Sequence, residues 1–269
     1  MIRLEHVSVV RSGRRILNSL DLTLADGGVT VVLGANGAGK SSIVRLISGE
    51  WRPDEGEVWW GNTRLSRMPR MELARRRAVV SQHHHHGFAF RVLDLVLLGR
   101  LPHTGQPEHD HLAIAGAALE HVGLADFADR SINTLSGGER QRVHLARALA
   151  QLHEARAEGR GLLVLDEPTA HLDLARQHHF LQLAHDLAHE GLAVVVVLHD
   201  LHAAADIADH IALLRGGRLL AYGSAEHVLT PALLSDAYTC RIERVRDDAG
   251  RLFFIPHRHP QPALERIQP

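Results

Sequence analysis

The segment GANGAGKSS, residues 34–42, constrains the folding of this 269-residue chain more than any other. It follows the β-branched run VTVVL (29–33) and precedes IVRLISGE, whose apolar residues have helical spacing. The pattern is G-x-x-x-x-G-K-[ST] between a strand and a helix, the context in which a glycine-rich loop cradles phosphates. Gly34, Gly37 and Gly39 let the backbone curl. Consecutive N–H groups, through Ala35, Asn36 and Ala38, can then point at phosphate oxygens, aided by the helix N-terminus. Lys40 brings a compact positive charge to the β- and γ-phosphates of a nucleotide, Ser41 offers a hydroxyl to Mg2+, and Ser42 closes the loop.

A second segment, LLVLDEP, supplies the matching half of such a site. Four apolar residues form a buried strand that ends in Asp166 and Glu167. Asp166 suits a water-mediated Mg2+ contact, and Glu167 suits orienting or deprotonating the attacking water. After a third run, AVVVVL (193–198), comes His199 at the carboxyl edge of the sheet, placed to donate a hydrogen bond to the γ-phosphate. These are the parts of a P-loop nucleoside triphosphatase.

The three runs are continuous rather than alternating, as expected of strands covered on both faces of a mainly parallel sheet. The fold class is therefore α/β, with ligands at the carboxyl ends of the strands. RLEHVSVV and GEVWWG alternate and read as an antiparallel β subdomain beside the main sheet, with one of Trp59 and Trp60 toward the core and the other outward. From about 88 to 152 the apolar spacing turns helical, predicting a helical subdomain inserted into the core. EARAEGRG (154–161) reads as the linker back to the sheet. The main domain is expected over 2–238 and a partly mobile tail over 239–269, with a hairpin around DDAG.

Bulk properties narrow the function. Thirty Lys and Arg against 31 Asp and Glu leave no strong field for nucleic acid or an anionic membrane. A lone cysteine, Cys240, builds no disulfide framework and suits a reducing compartment. The first residues carry no secretory signal, and no run approaches the roughly 18 apolar residues of a membrane span, so membrane contact is expected to go through a partner.

LSGGERQRV (135–143) separates the chain from other P-loop enzymes. Ser136 and Glu139 have the spacing of a capping box, so a helix should begin there. Gly137 and Gly138 leave its first N–H groups unshielded, giving a second anion site with a serine hydroxyl beside it. An ordinary capped helix would not need two adjacent glycines, which cost about 1 kcal/mol each relative to alanine.

On these residues the chain resembles the ATP-binding subunits of ABC transporters: GANGAGKSS their Walker A, LLVLDE their Walker B, LSGGERQRV their signature. Gln82 matches the Q-loop, residues 171–173 with Asp173 the D-loop, and His199 the switch histidine. The resemblance spans roughly residues 2 to 235. It implies a head-to-tail homodimer in which ATP lies between one P-loop and the other copy's signature, with Ser136 and Gly138 at the γ-phosphate. It implies Gln82 as a sensor of Mg2+ and nucleophilic water, and two transmembrane permease subunits driven through the Gln82 loop. It also implies a periplasmic binding protein acting indirectly and a peripheral location on the cytoplasmic face of the bacterial inner membrane.

Two positions depart from the family. Where an aromatic usually stacks on adenine, the chain offers Val10 and Arg11; Arg11 either stacks on the base or is a solvated arginine. The D-loop reads Ala170-His171-Leu172-Asp173 rather than starting with serine. His83 to His86 follow Gln82 directly and are open to three readings: a solvated or interface-packed loop, a pH-sensitive contact, or a metal or haem contact. Downstream, FAFRVLDLVLLGRLPH resembles the iron-chelate, cobalamin and haem importers, and the stretch after the signature resembles the haem subset. Haem import is thus the expected activity, with ferric siderophores or cobalamin as the alternative cargo. ABC-type ATPases of DNA or ribosomes carry long coiled coils or paired cassettes, which a chain with one signature and near-zero net charge lacks.

Overall fold

Alternate residues of each continuous apolar run face opposite sides of one sheet, and both sides are buried. A computed structural model describes residues 2–81, 90–170, 172–248 and 250–257. The chain opens with the hairpin β1 (Ile2–Arg11) and β2 (Arg14–Thr23), then β3 (Gly28–Gly34), α1 (Lys40–Ile47), β4 (Glu55–Trp60) and β5 (Thr63–Arg64). Next come α2 (Arg70–Arg76), β6 (Arg77–Val80), and the helices α3 (Val92–Leu97), α4 (Glu108–His121) and α5 (Gly137–Ala157). The third stretch holds β7 (Gly161–Asp166), α6 (Leu174–His189), β8 (Leu192–Val197) and α7 (Leu201–Ile207). The remainder is β9 (His210–Arg215), β10 (Arg218–Gly223), α8 (Ala225–Val228), α9 (Pro231–Tyr238), β11 (Arg241–Arg246) and β12 (Leu252–His257).

The main sheet has the order β10-β9-β3-β8-β7-β6, parallel except for β10 at its edge. Val31, Leu163, Leu165, Val194 and Val196 enter one core beneath the helices. Val32, Leu162, Val164, Val195 and Val197 enter the other, beneath α1 and the antiparallel sheet β2-β1-β4-β5. Each strand thus places side chains in two cores, which is why no polar alternation is visible in its sequence. In the antiparallel sheet Trp60 packs on the core, while Trp59 lies within cation–π reach of Arg3 and Arg64. The expected split of the two indoles holds, although both remain half-buried.

Helices α3, α4 and α5 pack on one another, and α5 also lies against β6 and β7. The stretch 154–157, read as linker, is helical: α5 continues to Ala157. Its last turns are held because Ala155 is buried and Glu154 pairs with the buried Arg100 (2.5 Å). Gln151 donates to the carbonyls of Ala74 (2.6 Å) and Arg77 (2.9 Å), tying α5 to the edge strand β6. The expected hairpin is β11–β12, anchored by buried Ile242 and Phe254. The Pro-rich end, expected to be mobile, lies outside the described residues. Among the described residues no helix is long and apolar enough to cross a membrane.

Candidate functional site

The glycine-rich loop leaves β3 at the sheet's carboxyl edge. Gly34 adopts φ 147°, and a Cβ there would stand 2.5 Å from the Leu214 carbonyl of β9. Only glycine lets the loop lie this close to its neighbour strand. Gly39, at φ 106°, N-caps α1 with no side chain bonded into the first turn, so the helix end is left to bind something else. Ala38 closes the turn by donating its N–H to the Ala35 carbonyl (3.1 Å). Asn36, Gly37 and Ser41 are exposed, and Ser42 is buried.

Lys40 is only 6% exposed, and its Nζ donates to the carbonyls of Gly34 (2.7 Å) and Ala35 (3.2 Å). Burial pulls its pKa below the ordinary lysine range, and the Glu167 and Asp166 carboxylates oppose that shift. The ammonium is thus held over the loop in the field of the two acids.

Strand register brings those acids to it. Asp166 pairs with Val197 and Val32 with Val197, so β3, β7 and β8 end together. Asp166 has a buried Oδ1 without a hydrogen-bond partner. Its pKa is raised, first by burial and then by the Glu167 charge, while Arg45, Lys40 and His199 act against the shift. A buried carboxylate oxygen held this way is the hard donor a Mg2+ ion takes, and with the exposed Ser41 hydroxyl on α1 the donor set fits that ion. Glu167 stands at φ 50°, an unusual conformation for a residue with a side chain, and its Oε1 lies 2.7 Å from His199 Nε2. His199, expected to reach phosphate, is here placed on the acid. Its loop is steadied by Asp200, which accepts from the N–H groups of His202 (2.8 Å) and Ala203 (3.3 Å) to cap α7.

The capped helix start at Ser136 forms as its sequence predicts. Ser136 caps α5: Glu139 Oε2 accepts from the Ser136 N–H (2.7 Å), and Ser136 Oγ accepts from the Glu139 N–H (3.4 Å). Hydrogen bonding to the carboxyl from the Ser136 hydroxyl and N–H holds Glu139 below the usual range, with Arg142 and Arg176 adding to the effect. At Gly137 an added Cβ would meet nothing within 4 Å, so this side of the tip is bare. Gly138 instead sits against α6, 3.2 Å from Arg176 Cδ for an added Cβ. Asp173 is the N-cap of α6, accepting from the Arg176 N–H (2.9 Å). Among the described residues no hydrogen bond joins this tip to residues 34–42 of the same chain.

Arg11 is not free to stack on a base where it stands. Its guanidinium lies 4.4 Å from the centre of the Trp51 ring and bonds to Asp54 (3.1 Å). Arg45 lies over the same ring at 4.6 Å. Trp51, Arg45 and Asp54 carry no motif and go unremarked in the sequence; only the fold brings residue 11 to residue 51. Arg45, one turn beyond Ser41 on α1, is the one clue, since that spacing shares a helix face. Gln82 and His83 to His86, expected at the hinge, lie outside the described residues, as does His171.

The chain is similar to known proteins along most of its length. Residues 17–170 match the family model described as ABC transporter. The hemin import ATP-binding protein HmuV of Methylobacillus flagellatus is 40% identical over 267 residues, covering 98% of this chain and 99% of that one. A chain described as a metal-chelate type ABC transporter, solved facing inward, superposes with a TM-score of 0.80 at 29% identity, covering 96% of this chain and 97% of that one. A dimeric ATP-binding cassette in a post-hydrolysis state with ADP and Pi gives a TM-score of 0.71 at 26% identity, covering 84% of this chain and 99% of that one.

Proposed function

This chain belongs to the ABC transporter family of ATP-hydrolysing subunits, and from that premise we propose that it powers the import of haem. The observation that carries the cargo is similarity along almost the whole length to a hemin import subunit, tail included. The site residues bear on ATP alone, so the cargo rests on that similarity.

In this reading two copies pair head to tail, and ATP lies between the loop of one and the Ser136 tip of the other. Within one chain the two sites make no hydrogen bond to each other among the described residues, which supports a pairing across two copies. The backbone of residues 34–39 and Lys40 grip the β- and γ-phosphates, and Ser136 and Gly138 of the twin close on the γ-phosphate. Ser41, and Asp166 through water, would hold a Mg2+ ion, with Gln82 as its expected sensor, and the ion would supply charge neutralisation on the phosphate oxygens. Glu167 takes the proton of the attacking water, held in place by its bond to His199, which turns to the γ-phosphate when that group arrives. Asp173 caps α6 at the twin's edge and keeps Arg176 against the tip. Arg11 reaches adenine only by leaving Trp51 and Asp54.

Closing the dimer moves two permease subunits through the Gln82 loop of the ATP-binding domain (2–238), in which the helical subdomain (about 88–152) is inserted. The subunit works at the cytoplasmic face of the inner membrane, fed indirectly by a periplasmic haem-binding protein. A ferric siderophore or cobalamin is the second reading, favoured by the fit to the metal-chelate type transporter. Growth on different iron sources decides between them. Deleting the gene should abolish growth on haem iron, with rescue by the parental chain and not by Glu167→Gln. Growth on haem iron that survives deletion while siderophore or cobalamin use is lost would overturn the haem assignment.

A further inference from the structure

Outside the nucleotide site, two imidazoles on α6 stand in an arrangement that the ATPase reaction does not use. His185 and His189 are one helical turn apart, and their Nε2 atoms lie 3.3 Å from each other. The rings are tilted by 67° with centres 4.5 Å apart, so they converge at their nitrogen tips rather than stack. Two imidazole nitrogens bound tetrahedrally to one Zn2+ at 2.0–2.1 Å stand about 3.3 Å apart. The observed Nε2 separation matches the bite of such an ion.

The surroundings favour a cation. The pair occupies the last turns of the 16-residue helix α6, where the unpaired carbonyls place partial negative charge. Asp186 Oδ1 lies 3.8 Å from His185 Nδ1, while Glu190, next to His189 in the chain, pairs with Arg156 (3.2 Å). Among the described residues no group of three or more His, Cys, Asp or Glu is placed to hold a metal, so a site here has two protein ligands and completes its shell with water. Neutral imidazole pairs select borderline ions of the Zn2+, Ni2+ and Cu2+ class, whereas Mg2+ prefers oxygen donors.

We propose that His185 and His189 form a two-ligand surface site for a borderline divalent cation of the Zn2+ class, separate from the Mg2+ used with ATP. The competing explanation of the short contact is a single hydrogen bond between two neutral rings. Titration calorimetry with Zn2+ separates the two, using the full chain with His83 to His86 changed to Asn so that those four imidazoles do not compete. In that background one Zn2+ site should be seen, and millimolar Mg2+ should not displace it. His185→Asn or His189→Gln should each weaken it roughly tenfold or more, because either change turns a chelate into a single ligand. Zn2+ should also raise the thermal midpoint of the parent and not of the His189→Gln protein, since a ligand bound to the folded form stabilises it. His189 is exposed, so that variant is expected to fold as the parent does, and its metal-free midpoint checks this. Zn2+ affinity unchanged within about twofold in His189→Gln, or no Zn2+ site in the parent, would overturn the proposal.

Discussion

Replacing Glu167 by Gln removes a charge and a base while leaving the shape of the site in place. The amide oxygen can still accept from His199 Nε2, so the 2.7 Å contact has a neutral substitute. The loop and Lys40 contacts to Gly34 and Ala35 are untouched, so ATP should still bind. Two electrostatic effects follow from the acid's neighbours. Asp166 loses the like charge that raises its pKa, and Lys40 loses one of the two carboxylates that oppose its downward shift. Neither effect removes a phosphate ligand. On the proposed role of Glu167 the lost step is proton transfer from water, worth about 10²–10⁴ in rate. That corresponds to roughly 3–5 kcal/mol of barrier. Single-turnover phosphate release should therefore slow by at least a hundredfold or so, with nucleotide affinity within a few-fold of the parent. Phosphate release at the parental rate would refute the base assignment. Loss of nucleotide binding would show that the carboxylate holds the site together instead.

Gly34→Ala should abolish nucleotide binding at the loop, because the new Cβ would lie 2.5 Å from the Leu214 carbonyl at φ 147°. Fluorescent-nucleotide titration checks this, and parental affinity would mean that the loop relaxes freely. The Arg100–Glu154 pair makes the protein acid-sensitive. Burial raises the Glu154 pKa, but the hydrogen bonds from Arg100 and Gln106 outweigh it and hold the group at about 2. A carboxyl depressed from its usual 4.5 contributes stability that is complete above about pH 4.5 and is lost as pH falls toward 2. In urea titrations at several pH values, Arg100→Met should be less stable near neutrality and should show a shallower decline across that acid window. An unchanged slope would mean that Glu154 draws its stabilisation elsewhere.

How much of this is legible in the sequence depends on how local each interaction is. The Ser136–Glu139 box spans four residues, and the fold reproduces it bond for bond. The glycine loop and the acids at the end of β7 are equally local, and each is bounded by an apolar run that announces a buried strand. Strand β6 is four residues long and lies at the sheet edge, too short a run to stand out, while β9 and β10 form a hairpin that carries no motif. The end of α5 reads as linker in the sequence because its charged residues mask one buried alanine. What holds it is Arg100, more than fifty residues earlier in the chain. Arg11 follows the same logic: its partners Trp51 and Asp54 meet it only because β1 pairs with β4. The Glu167–His199 contact is intermediate, since both residues are recognisable alone and their pairing follows from the register of β7 against β8.

The central claim is that each ATP is clamped by two chains, and the mass of the particle in solution tests it most directly. The chain is 29.7 kDa, and Glu167→Gln with saturating ATP should elute at twice that mass. Adding Gly137→Asp places a carboxylate at the bare side of the tip, where nothing within 4 Å obstructs it and where a helix start tolerates an acid. That second protein should still bind ATP through Lys40 yet remain a single chain. Doubling that persists with the aspartate in place, or an ATP-saturated Glu167→Gln protein that stays monomeric, would contradict the shared clamp.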